Sequence, residues 1–369
     1  MAQESAEVVV IGGGAMGVST AYHLTALGVA DVVLLERDAL AGGSTGRSAG
    51  GIRAQFADAL NIRIALRSMA EFETFDQRFG VDIAFDPCGY LFLLDNERDV
   101  ARFRAALELQ AAHNVPSSEL TPSQAAEIVP QIETGDLLAA TYCPLDGRAT
   151  PEAVVAAYAE AARARGARIF QGEAVERIHV RNGRVEAVET PSRRIATETV
   201  VCTAGVWTRG LAALVRLDVP VRGESRWIFF TPEAGGLPDR VPLTIDFTTS
   251  FYFHREGPGL AFGGREQTAE ELAGPATRRL PVLADLPIQT SWWGYYEMSP
   301  DHNAIVGESA DPGRFLYATG FSGHGFQQSP AVGEHLAELV AGREPTLDLS
   351  PFSLERFTSG AVREEQFVI

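Results

Sequence analysis

Two glycine-rich stretches hold the residues whose types and spacing could do chemistry. The first, Gly12-Gly13-Gly14-Ala15-Met16-Gly17, fits the G-x-G-x-x-G pattern, in which glycines let a strand turn tightly into a helix whose N-terminus faces a pyrophosphate. Glu36 lies 19 residues beyond Gly17, at the end of a second apolar run, where a carboxylate can accept both hydrogen bonds of an adenosine ribose. An acidic residue there favours a ribose without a 2′-phosphate, which leaves FAD or NAD. The second stretch, GGSTGRSAGGIR at 42–53, contains two overlapping G-x-S-x-G patterns centred on Ser44 and Ser48. A nucleophile elbow must sit directly between a strand and a helix, whereas this loop follows RDALA after the second apolar run has ended. No triad order can be drawn around either serine, so the loop reads instead as a second phosphate- or ring-binding segment.

The elements that must position these residues follow from pattern. EVVVI (7–11), a helix-compatible AMGVSTAYHLTALG ending at Gly28 and VVLLE (32–36) make a β-α-β unit of the length expected for a dinucleotide-binding half. From Ala57 to Phe79, apolar residues at 62, 66, 69, 72, 75 and 79 put one stripe toward a core and predict one long helix. YLFLL (90–94) reads as a strand, a helix follows from Glu97, and Thr121-Pro-Ser-Gln124 is a capping box. Thr150-Pro151 opens a helix to Gly166, followed by short strands and a hairpin at Asn182-Gly183, then the strand TVVCTAG. Strand-like runs over 221–264 suit an antiparallel sheet in a second domain. RFLYATG (314–320), a glycine-rich turn and an amphipathic helix to Gly342 complete the chain's regular structure.

At 369 residues the chain is long enough for about two domains. Its net charge of −17 would repel a nucleic-acid backbone or an anionic membrane surface, so nucleic acid is not expected as a partner. Residues 8–30 carry no charged side chain, but the three glycines and the lack of a basic lead-in mark a strand rather than a membrane span or signal peptide. Cys88, Cys143 and Cys202 show no C-x-x-C spacing and cannot all pair, so neither a disulfide framework nor a metal site is indicated, and a cytoplasmic location fits.

The strand-GGGAMG, LLERD and GSTGRSAGGIR series, with YYEMSPDHNAIVG and YATGFSGHGFQQSPAVGE, resembles a known family. These motifs are similar to the FAD-dependent amine and amino-acid oxidoreductases of the D-amino acid oxidase superfamily, in the sarcosine oxidase and dimethylglycine or proline dehydrogenase branch. The likeness spans nearly the whole chain. GRSAGGIRAQF, GFQQSP and DLSPFSLERF further resemble a subgroup that includes a mitochondrial FAD-dependent oxidoreductase implicated in respiratory complex assembly. The fold implied is α/β: a Rossmann-type, glutathione reductase-like FAD domain made of 1–82, 148–218 and 292–369. An α+β substrate domain on an antiparallel or mixed sheet is inserted as 83–147 and 219–291.

By that resemblance FAD contacts Gly12, Gly14, Ala15, Met16, Glu36 and Arg37, then Ser44, Thr45, Arg47, Ser48, Gly50 and Gly51 of the second loop. Val175 would meet adenine through its backbone, Ala204, Gly205 and Trp207 would pass the phosphates, and the segment Gly323, His324, Gly325, Phe326 and Gln327 would adjoin the flavin. There, backbone N–H groups and the positive end of the following helix favour negative charge on the ring, which leaves the His324 side chain without a chemical role. Arg53 occupies the place of an arginine that grips a substrate carboxylate, or else it holds the loop. Tyr296 and, less directly, Tyr252 fall in the substrate pocket or serve as core aromatics. Gly294 stands where the sarcosine oxidase branch has the cysteine that binds flavin covalently, so FAD is expected to be non-covalent. Gln327 replaces a carboxylate-binding lysine, and Ala261 replaces a lysine that promotes reaction with dioxygen, so a dehydrogenase is expected over an oxidase. The implied reaction is oxidation of a small secondary or N-methyl amino acid, with a D-amino acid, a simple amine or an assembly role as alternatives. A partner subunit or an electron-acceptor protein is compatible with the resemblance.

Overall fold

The computed structural model describes residues 2–368. A six-stranded sheet has the spatial order Ile305–Glu308, Phe315–Thr319, Val200–Cys202, Val8–Ile11, Val32–Glu36, Arg168–Gln171. Neighbours run parallel except Ile305–Glu308, which is antiparallel to Phe315–Thr319. Strands covered on both faces need continuous apolar runs, which is why VVVI, VVLLE and FLYAT stand out in the sequence. The sheet joins N-terminal, middle and C-terminal parts of the chain.

The helix Ala15–Ala26 leaves the first strand through the three glycines and packs against Pro151–Ala164 and Gly325–Val340. Its approach to the last of these is close enough that a Cβ on Gly333 would lie 2.3 Å from Ser19 Oγ. A four-stranded sheet, Ala2–Ser5, Arg193–Ala196, Arg184–Glu189 and Arg177–Arg181, carries the expected hairpin. Asn182 and Gly183 both take positive φ there, at 53° and 71°, which suits the twist of the two strands.

The remaining large sheet is eight-stranded and mixed, in the order Thr290–Met298, Arg222–Phe230, Gly259–Gly263, Tyr252–Glu256, Leu243–Asp246, Tyr90–Leu94, Ala139–Cys143, Ser118–Leu120. The pair Leu243–Asp246 and Tyr90–Leu94 is parallel and the other neighbours are antiparallel. Thr290–Met298 pairs along its length with Arg222–Phe230, so a division at 291/292 falls inside a strand.

One helix differs from expectation. The stripe from 62 to 79 forms two helices, Ala59–Phe72 and Phe75–Phe79. Thr74 Oγ1 donates to the Ala70 carbonyl at 3.1 Å, and a hydroxyl that bonds back four residues competes with the helix ladder. The break does not disturb burial, because Phe72, Phe75 and Tyr158 stay in one core cluster. No helix among the described residues is long and apolar enough to cross a membrane.

Candidate cofactor and substrate site

The turn between Val8–Ile11 and Ala15–Ala26 is closed to side chains. Gly12 has φ +111°, a Cβ there would lie 2.6 Å from the Thr203 carbonyl oxygen, and a Cβ on Gly17 would lie 1.8 Å from the Gly12 carbonyl oxygen. Glu36 is aimed by two backbone bonds, accepting from Gly13 N at 2.6 Å and from Asp38 N at 2.7 Å. The second glycine loop docks on the same turn, since Ala15 N donates to Thr45 Oγ1 at 3.2 Å.

A cavity of about 520 Å³ begins at this cradle and ends against the eight-stranded sheet. The cofactor- and substrate-binding residues expected from the sequence all lie on its wall, and only Ala261 of the positions compared with the family does not. From the first unit these are Gly12, Gly14, Ala15, Met16, Glu36 and Arg37; from the second loop, Ser44, Thr45, Arg47, Ser48, Gly50 and Gly51. Val175, Ala204, Gly205 and Trp207 follow, then Gly323 through Gln327, and finally Arg53, Tyr252 and Tyr296. The two serines do no nucleophilic work visible in their contacts. Ser44 Oγ donates to the Tyr295 carbonyl at 2.7 Å, and Ser48 Oγ accepts from Gly50 N at 3.3 Å. Arg47 extends the first tie, donating to the Trp293 carbonyl at 3.1 Å, so the loop is fastened to the outer strand of the large sheet.

At the sheet end, three tyrosines are each seated against a glycine. A Cβ would lie 1.7 Å from the Tyr90 hydroxyl at Gly51, 2.7 Å from the Tyr252 hydroxyl at Gly263 and 2.6 Å from the Tyr296 ring at Gly323. Burial pushes all three phenols up, so each keeps its proton and can donate. Gly323 takes φ +97°, which aims the N-terminus of Gly325–Val340 at the cavity with His324 as its cap. Burial, aided by the charge of Arg53, holds the His324 imidazole well below its ordinary pKa. The ring is neutral, and its Nε2 takes a hydrogen bond from Arg53 Nη2 at 2.8 Å.

Arg53 is 4% exposed. It also donates through Nη1 to the Gln55 carbonyl and through Nη2 to the Phe367 carbonyl, and its guanidinium carbon lies 4.2 Å from the centre of the Phe56 ring. Its backbone N donates to Gln327 Oε1 at 2.6 Å. The segment is locked from the other side by Asp146, which accepts from Ala54 N at 2.7 Å and Gln55 Nε2 at 2.9 Å. Burial raises that carboxyl to about 6 against those bonds.

Sequence reading missed Tyr90, Arg226 and Glu297, which also line the cavity. Tyr90 and Arg226 belong to strands without a motif, and only alternation along those strands could have set them on the inner face. Glu297 sits beside Tyr296, and burial pushes its carboxyl up to about 7 although Thr319 Oγ1 donates to it at 2.8 Å. Ala261 needs correcting. It is buried between the strands of Phe230 and His254, in the core cluster that also holds Tyr90 and Tyr252, and is not itself part of the wall.

A family model described as FAD dependent oxidoreductase (DAO) matches residues 7–339. The chain belongs to the DAO family. Sarcosine dehydrogenase of Mus musculus is 29% identical over 381 residues, covering 96% of this chain and 41% of that protein, so this chain spans less than half of its length. FAD-dependent oxidoreductase domain-containing protein 1 of Xenopus laevis is 31% identical, with 96% and 83% covered. The solved structure of L-proline dehydrogenase from P. horikoshii has a TM-score of 0.90 at 31% identity, covering 98% of this chain and 100% of that one. The DAO family is FAD-dependent, and the wall suits that cofactor. The cradle that any Cβ would fill and the carboxylate of Glu36 accommodate a pyrophosphate and a ribose, and the helix end at Gly325 favours a ring that gains negative charge.

Two outcomes follow. Glu36→Ala should weaken FAD binding about 10- to 100-fold through loss of charged hydrogen bonds, read by flavin fluorescence titration; an unchanged affinity would remove the adenosine end from this position. Because Glu297 in the folded chain keeps its proton to about 7, against an ordinary carboxyl value of 4.5, its contribution is complete below pH 4.5 and is lost as pH rises through 7. Thermal denaturation of the FAD-free protein between pH 5 and 8 should therefore cost wild type on the order of 3 kcal/mol relative to Glu297→Gln, and parallel pH curves would contradict that.

Proposed function

We propose that the protein oxidises a small secondary or N-methyl amino acid at a carbon bonded to its amine nitrogen. The observation that carries this reading is the continuity of one cavity from the cofactor cradle to a wall of three protonated tyrosines and two arginines, Arg53 and Arg226. When bound, FAD supplies the hydride acceptor. The amine nitrogen contributes its lone pair as the C–H bond breaks, and the resulting imine takes up water to give a carbonyl compound and the shorter amine.

The chain's residues have binding and orienting roles in this scheme. Tyrosine hydroxyls fixed against glycines hold the substrate in one pose, the arginines supply positive charge for its carboxylate, and the helix N-terminus at Gly325 favours the charge that develops beside it. None of the buried groups is needed as a base if the amine enters neutral. The relatives named as sarcosine, dimethylglycine and L-proline dehydrogenases support this substrate class, and their shared name supports a dehydrogenase here.

FAD is held without a covalent bond in this reading, because Gly294 offers no nucleophile on the cavity wall. Acid precipitation should leave the yellow colour in the supernatant; colour retained in the pellet would overturn this. The function is tested by mixing the yellow protein anaerobically with sarcosine, dimethylglycine, proline and several D-amino acids and following the flavin band. Bleaching by the N-substituted acids, with slow recovery in air, is the expected result. If dithionite bleaches the protein and no amine does, the amine oxidoreductase reading fails.

A further inference from the structure

The two arginines on the cavity wall are not equivalent. A guanidinium holds a carboxylate with two parallel bonds along one of two edges, Nη1 with Nη2 or Nε with Nη2. In Arg53 both edges include an Nη2 whose two protons go to His324 Nε2 and the Phe367 carbonyl, while Nη1 is drawn to Gln55. Arg53 therefore has no edge left for a bidentate carboxylate. Its contacts tie the second glycine loop, the turn at His324 and the C-terminal tail together.

Arg226 is arranged differently. It lies on Arg222–Phe230 with its side chain 12% exposed, and its guanidinium carbon is 5.0 Å from the centre of the Tyr296 ring. Nη1 donates to the Ser225 carbonyl at 3.1 Å and Nη2 to Glu224 at 3.0 Å, while Nε is buried with no acceptor. A buried donor without a partner costs free energy that an incoming carboxylate would recover. Arg226 also lines a second hollow of about 290 Å³, together with Arg102, Arg222 and Arg265. Glu224, Glu364 and Glu365 share that wall, so the hollow holds four arginines against three glutamates, and Glu224 pairs with both Arg222 and Arg226.

We propose that Arg226, and not Arg53, receives the substrate carboxylate. This rests on the amino-acid oxidation reading, and it makes Arg226 a specificity determinant for carboxylate over simple amine. Arg53 is then a positioning residue that holds the wall through the C-terminal tail.

The test titrates the FAD-loaded protein with acetate and 2-furoate, carboxylates that carry no amine, and reads the shift of the flavin spectrum. Arg226→Met should weaken both about 100-fold, as expected for loss of a charged hydrogen-bonded pair, with Arg226→Lys intermediate. Melting temperature and FAD content identify any variant that does not fold, and Arg222→Glu, away from the cofactor cavity, gives a second reading. It should weaken carboxylate binding at low salt and lose that effect at about 0.5 M salt. The ratio of flavin reduction by proline to that by pyrrolidine should fall in Arg226→Met. Equal carboxylate affinity in wild type and Arg226→Met, or loss only in Arg53→Met with Arg226→Met intact, would overturn the assignment, as would a wild-type flavin that no carboxylate perturbs. Carboxylate binding that depends on Arg226 in a protein no amine can bleach would leave this assignment standing and remove only the oxidation reading.

Discussion

The buried guanidinium of Arg53 is the constraint on which the substrate end of the molecule depends. A charge taken out of water must be met by bonds or the fold loses several kcal/mol, and no carboxylate touches this one. Two backbone carbonyls and a neutral histidine meet it instead, and they come from the loop just beyond the second glycine stretch, the last residues of the chain and the turn that opens the C-terminal helix. Satisfying one charge thereby fixes three segments relative to one another. Phe367 is carried into a cluster with Phe92, Phe103 and Phe247, so the tail is packed into the core beside the large sheet.

A second constraint is the pairing of large rings with missing side chains. Tyr90, Tyr252 and Tyr296 reach the cavity because Gly51, Gly263 and Gly323 have no Cβ to stop them. The same device operates at the cradle, where Gly12 and Gly17 bring backbone against backbone. A glycine loses more conformational freedom on folding than any other residue, so its use at each of these points is a cost set against a close approach that no other residue allows. The result is a cavity whose polar groups belong to rigid strands and helix ends rather than to free loops, which is what orienting a small substrate requires.

The cofactor half could be read from the chain because its signals are local. Strand, glycine turn, helix and second strand follow one another within the first 36 residues, and the apolar runs of a doubly covered parallel sheet cannot be mistaken for alternating strands. The motifs near the end, SPDHN and GFSGHGF, likewise keep their meaning over a few residues. Where reading failed, the deciding partner was distant or the periodicity was ambiguous. The stripe from 62 to 79 keeps helical spacing across a break that a single threonine hydroxyl produces, and Ala261 sits in a strand whose inner and outer faces its own neighbours do not reveal.

The sequence by itself determined the β-α-β unit, the glycine turn and the acidic residue that follows its second strand, the placing of Ser44 and Ser48 outside any strand-to-helix elbow, and the membership of an FAD-dependent family. Each of these depends on residue types at short separations, where chain geometry leaves few choices. Only the tertiary structure decided which arginine still has donors to offer, which tyrosines face the cavity and that Glu297 is buried beside the C-terminal helix. These depend on hydrogen-bond partners and neighbours drawn from both ends of the chain, and a donor's availability is a property of everything packed around it.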